Sequence, residues 1–178
     1  MTLRAVGQAS GVSHNAPYKH FESRDALLAA VATADFAWLR SVIRDVRASA
    51  ASPARKLMTA LQALIEFSAQ HSARYGLMFG NPKIIAAKGE VQREAFGAFL
   101  DFAELVKDCQ TAGSLPDSPE NRLPSLLFAT MHGLIAIDAA GGMHPEKGLT
   151  GVESSLRAWL ALIAPQGADS EWSSPAGR

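Results

Sequence analysis

Between Ser13 and His20 the chain reads Ser-His-Asn-Ala-Pro-Tyr-Lys-His, which gathers hydroxyl, imidazole, amide, phenol and ammonium groups onto one short segment. Such groups donate to phosphate oxygens and exchange hydrogen bonds with base edges, the chemistry of reading double-stranded DNA. Arg4 and Arg24 flank the segment and add phosphate-binding charge. Enzyme chemistry finds little to stand on. There is no Glu-x-x-His pair, no His-Glu-x-x-His, no Gly-x-Ser-x-Gly and no phosphate loop, and the single cysteine, Cys109, has no predictable base partner. No catalytic residue, metal site or cofactor is expected, and Cys109 reads as a small buried apolar residue.

Two short helices must position the polar segment. Thr2 to Ser10 places Leu3, Val6 and Ala9 on one face and is stopped by Gly11. Ser13 caps a second helix running from about His14 to His20, with Pro17 in its first turn, where a proline removes only the first intrahelical bond. Two short helices about a glycine turn, the second one polar, form a helix-turn-helix whose second helix lies in the major groove. Plain helical hairpins with a polar face share this spacing, so the wider sequence has to decide between them.

Beyond the pair, hydrophobic periodicity calls for helices throughout, and strand formers never gather into alternating runs. A long amphipathic helix starts at Ser23-Arg24-Asp25 and runs to about Ala48, and another starts at Ser52-Pro53 and ends near His71. A short helix over 72–79 stops at Gly80-Asn81-Pro82, and 82–89 reads as a loop or ragged turn. Val91, Ala95, Phe96, Phe99, Leu100, Ala103, Val106 and Gln110 mark a helix of some six turns ending at Gly113. Residues 123–140 are apolar on almost every side, and a last helix begins between Pro145 and Thr150 and closes at Pro165. The expectation is an all-α fold: a head with its connecting helix over 1–48, a body over 49–164, and a disordered end over 165–178 that carries the isolated Trp172.

Charge is balanced, with 17 basic and 17 acidic side chains among 178 residues, so nucleic-acid binding has to rest on a local patch. No uninterrupted apolar run reaches the roughly 18–20 residues of a membrane span, and the N-terminus lacks a signal-peptide pattern. A cytoplasmic protein with no membrane partner is expected.

The string Leu3-Arg4-Ala5-Val6, Ala9-Ser10-Gly11-Val12-Ser13 and Tyr18-Lys19-His20-Phe21-Glu22-Ser23-Arg24-Asp25-Ala26-Leu27-Leu28 closely resembles the DNA-binding signature of the TetR repressor family. The variant His14-Asn15-Ala16-Pro17-Tyr18 is similar to one branch of it, and Met131-His132-Gly133-Leu134 resembles the His-Gly element of one C-terminal subfamily. By matching position, the resemblance implies phosphate contacts from Tyr18, Lys19, Arg24 and the capping Thr2. It also implies a groove-facing set of Ser13, His14, Asn15 and Ala16; His20 joins the candidate contacts by its own hydrogen-bonding groups. Family members carry a further helix ahead of the one that begins here at Thr2, and without it Leu3, Val6 and Phe21 lose apolar cover.

The resemblance further implies a homodimer through the helices near 123–140 and 150–163, where Ala129, Gly133, Ala136 and Ala140 permit close approach. Two heads then meet successive major grooves of a palindromic operator about 34–36 Å apart. It implies a small apolar effector held among the middle helices, which releases the repressor from its operator. Met78, Phe79, Phe96, Phe99, Phe102, Phe128, Met131 and His132 are the candidate lining, although residues of these types at helical spacing also make ordinary core. The alternative to a repressor is a dimeric ligand-binding module with an incomplete head that no longer binds DNA specifically.

Overall fold

The computed structural model describes residues 8, 11, 20–120, 122–165 and 172, and among these it contains seven α-helices and no strand. Helix α1 spans Arg24–Ala48; the Ser23 hydroxyl accepts from the Ala26 N–H at 3.0 Å, and Asp25 and Arg47 complement the helix dipole at its two ends. Helix α2, Pro53–Gln70, has its proline at the first position, and Ser52 accepts from the Arg55 N–H. Helix α3, Ser72–Gly80, follows directly.

Segment 82–89, expected as a loop, begins with a one-turn helix α4, Pro82–Ile85. Asn81 makes the difference, because its side-chain oxygen accepts from the Lys83 N–H at 2.9 Å and the following proline is already set for a first turn. Helix α5, Glu90–Thr111, stops before Gly113, whose φ of 77° is the left-handed conformation that glycine adopts at little cost. Helix α6 spans Arg122–Ala139. The last helix, α7, is Val152–Ile163; Pro145–Lys147 forms only a single 3-10 turn, ended by Gly148 at φ 74°.

Helix α1 packs most extensively against α5 and also meets α2, α3 and α4, while α6 pairs with α7. Along the α1–α5 seam Arg40 donates to Glu94 at 2.9 Å and Asp101 at 3.1 Å, Arg44 pairs with Asp101, and Arg47 donates to Asp108 at 2.7 Å and Glu104 at 3.2 Å. By length and composition α1 would suffice to cross a bilayer, yet its buried residues Ala32, Asp35, Phe36, Leu39 and Ile43 face other helices of the bundle.

On α5 the buried face is Val91, Ala98, Phe102, Ala103, Leu105, Val106 and Cys109, and Phe96 and Leu100 are exposed. One expectation about the core is corrected, that for Trp172. Trp172, expected within a disordered end, is fully buried, with its indole N–H on the Ser114 carbonyl at 3.1 Å. Its own carbonyl accepts from Arg157, so both faces of the backbone-to-indole unit are tied to the bundle.

Candidate ligand cavity

The stripe of α1 that faces the bundle ends in Phe36, Leu39 and Ile43, and the facing stripe of α2 offers Ala60, Leu61 and Leu64. These side chains do not meet those of α5 and α6 completely, and a cavity of about 450 Å³ remains between them, closed on a further side by Ile84 and Ile85 around α4. Such a volume lies in the range of small-molecule sites. Of the expected lining, Met78 and Phe79 come from α3, Phe96, Phe99 and Phe102 from α5, and Phe128 and Met131 from α6, and all seven border this one cavity.

Polar groups on the wall are sparse: among the described lining residues Gln92 has the one polar side chain, and it is exposed. Beside it Phe96 is 61 % and Ile85 65 % exposed, so the opening to water lies between α4 and the first turns of α5. The opposite wall is aromatic. Phe36 and Phe79 meet edge-on at 5.5 Å, Phe99 and Phe128 at 5.8 Å, and Phe79 and Phe128 at 6.3 Å, the perpendicular contacts that ring quadrupoles favour.

His132 stands apart from the other candidates, because it lies one side chain behind the cavity surface. Its ring packs against Phe79 at 4.3 Å and Phe128 at 4.1 Å between centroids, and its Nδ1 is hydrogen-bonded to the Tyr75 hydroxyl. Burial pushes the His132 imidazole down to about 4 and raises the Tyr75 phenol, so both groups are neutral at ordinary pH. The buried His132 Nε2 has no hydrogen-bond partner among the described residues.

Of the expected DNA-contacting residues, Thr2, Arg4, Ser13, His14, Asn15, Ala16, Tyr18 and Lys19 lie outside the described residues; His20 and Arg24 are both exposed, at the approach to α1 and on its first turn. Gln8 is helical, and Gly11 has φ 68° and donates to the Gln8 carbonyl at 3.2 Å. Close by, Lys83 reaches from α4 to Asp25 at 2.6 Å, and the hydrogen bond from the ammonium, helped by its charge, lowers the Asp25 carboxyl. Thus one element supplies both a wall of the cavity and a contact to the first turn of α1.

Sequence reading did not single out Tyr75, Ile84, Ile85, Gln92 or the contributions of α1 and α2. Tyr75 carried a signal, since it stands three and four residues before Met78 and Phe79 and shares their helix face. Among the described residues no three His, Cys, Asp or Glu side chains are grouped to hold a metal ion.

No curated protein matches the chain significantly. A solved structure of a protein with unknown function from Rhodococcus sp. RHA1 is similar over 93 % of this chain and 86 % of that one, at 26 % identity and a TM-score of 0.74. The family pattern described as "Tetracyclin repressor-like, C-terminal domain" matches residues 57–161, which supply α3 to α6 and most of α2 and α7. By that domain, which spans more than half of its length, the chain belongs to the tetracyclin repressor-like regulators.

Proposed function

We propose that this chain is a transcriptional repressor that holds a palindromic operator as a homodimer and lets go when a small, largely apolar effector enters the cavity. The observation that carries the reading is the cavity itself: about 450 Å³, lined almost wholly by apolar side chains and open between α4 and α5. A void of that size inside a small bundle forfeits packing contacts, which a ligand restores.

Its walls suggest how occupancy reaches DNA. Ile84 and Ile85 border the cavity, their neighbour Lys83 holds Asp25, and α1 leads back to the segment with the DNA-reading residues. An effector that binds better to the arrangement with α4 displaced weakens operator affinity by the ratio of its affinities for the two arrangements. Membership of the tetracyclin repressor-like regulators supports the same reading.

The test is selection of genomic fragments by the purified protein, followed by release with a panel of apolar compounds. The expected result is a palindrome bound with steep salt dependence and released by compounds that bind the protein. Replacing Tyr18 and Lys19 together by alanine should abolish operator affinity and leave the oligomeric state unchanged. A folded dimer that binds the compounds but no DNA sequence selectively would replace the repressor with a ligand-binding module.

A further inference from the structure

The Tyr75–His132 pair leaves one polar atom unaccounted for. Both groups are neutral, and two proton arrangements are open to them. If His132 Nδ1–H donated to the phenol oxygen, the phenol proton and the Nε2 lone pair would both lack partners among the described residues. If the phenol donates to Nδ1, only Nε2–H is left over, so this second arrangement is the better satisfied. Tyr75 thereby fixes the tautomer and makes Nε2 a donor.

A buried donor without an acceptor is costly, and among the described residues nothing meets this one. What packs against its ring is the aromatic wall. Phe79 and Phe128 pack on the His132 ring and border the cavity, so parting these two side chains would open the cavity to the imidazole that carries Nε2–H. Rotamer changes of that kind are common on binding. Among the described residues the lining otherwise offers only Gln92, at the mouth, so none of their other side chains there can orient a guest by hydrogen bonding.

We propose that the effector is an apolar molecule bearing a neutral hydrogen-bond acceptor, of the ketone, ester or lactone kind, and that His132 Nε2–H is the group that reads it. Tyr75 is the positioning residue. A carboxylate is disfavoured there, because a neutral imidazole in an apolar wall offers no compensating charge for an ion taken out of water. The inference rests on the cavity being the effector site.

The test uses two nearly isosteric probes, 2-acetylnaphthalene and 2-isopropenylnaphthalene, which differ in a carbonyl oxygen against a methylene group. Their dissociation constants are measured on the intact protein and on the variants His132→Phe and Tyr75→Phe. The affinity ratio of ketone to alkene should fall about tenfold in His132→Phe and by less in Tyr75→Phe, as expected for one lost hydrogen bond. The general loss of packing that any core substitution brings acts on both probes and leaves the ratio unmoved. In wild-type protein with ¹⁵N-labelled histidine, the ketone alone should shift the His132 Nε2 resonance, a readout that needs no variant to fold. An unchanged ratio together with an unmoved resonance would overturn the role of His132 while the cavity stands as a binding site. Binding of neither probe to the wild type would remove the cavity as an apolar ligand site, and this inference with it.

Discussion

Asp35 sits on α1 with no exposed surface, both of its carboxylate oxygens bonded to Arg74 of α3, while Arg74 keeps 47 % of its side chain in water and lies 5.3 Å above the Phe67 ring. The arginine thus acts as a polar lid on a charge that could not otherwise be buried. Removing it strands the carboxylate, so Arg74→Ala should lower the unfolding free energy on the order of 2–3 kcal/mol, somewhat less than for a fully buried pair. Adding Asp35→Asn should restore most of the loss in urea titrations, and a double variant no more stable than Arg74→Ala would mean that water already reaches the carboxylate. Sequence patterning could not reveal this pair, because an acid on a helix reads as solvated until its partner, 39 positions away, is known. His132 offers a second measurement at this scale. Its folded value of about 4 lies below the ordinary 6.5, so the unfolded chain takes up the proton first. The stability it contributes is whole above about pH 6.5 and is lost as the pH falls towards 4. Wild type should therefore lose on the order of 3 kcal/mol more than His132→Gln between pH 7 and pH 4 in parallel denaturant titrations.

Among the elements, the α1–α5 seam shows how a glycine inside a helix can be a packing device. A Cβ built on Gly97 would lie 2.5–2.7 Å from the Arg40 guanidinium, the group that bridges Glu94 and Asp101. Alanine is worth about 1 kcal/mol over glycine in a helix interior. Gly97→Ala should fall short of that gain, because Arg40 must leave its two partners, whereas the same change in an Arg40→Ala background should realise it in full. Equal effects of Gly97→Ala in both backgrounds, read from melting curves, would show that Arg40 relocates without loss. The starts of α1 and α2 were legible because Ser23 and Ser52 each accept a bond from the N–H three residues on, and Pro53 brings a φ already set for the first turn. The orientation of α5 was less so. Its apolar residues surround more than half of the helix, and only the placement of α1, α2 and α6 around it decides that Phe102 and Val106 turn inward while Phe96 stays at the cavity mouth. The expected lining could be named because aromatic and methionine residues cluster on three helices, whereas the share of α1 and α2 looks like any buried stripe.

Over the whole molecule, burial is lopsided on the last two long helices. Helix α6 turns Leu123, Leu127, Met131 and Ile135 inward, and leaves Leu126 at 54 % exposure together with Ala129, Gly133, Ala136 and Ile137. Helix α7 does likewise, with Val152, Leu156 and Leu160 inside and Leu162 at 84 % exposure next to half-buried Trp159. The sequence shows that α6 is apolar nearly all round, but which half lacks a partner emerges only from the packing. A Cβ added at Gly133 would meet open space, which suits a face that another helix approaches closely. On the repressor reading, this is where the second copy docks, and two heads joined by it hold two half-sites at once. Leu126→Glu combined with Leu162→Glu puts carboxylates into that face without touching the cavity. Sedimentation should then report a monomer with unchanged helix content and unchanged affinity for apolar probes. Operator affinity should fall by a hundredfold or more, roughly the avidity that is lost when each half-site is bound alone. A variant that stays dimeric would move the interface to another face, and a monomer that keeps full operator affinity would show that a single head suffices for recognition.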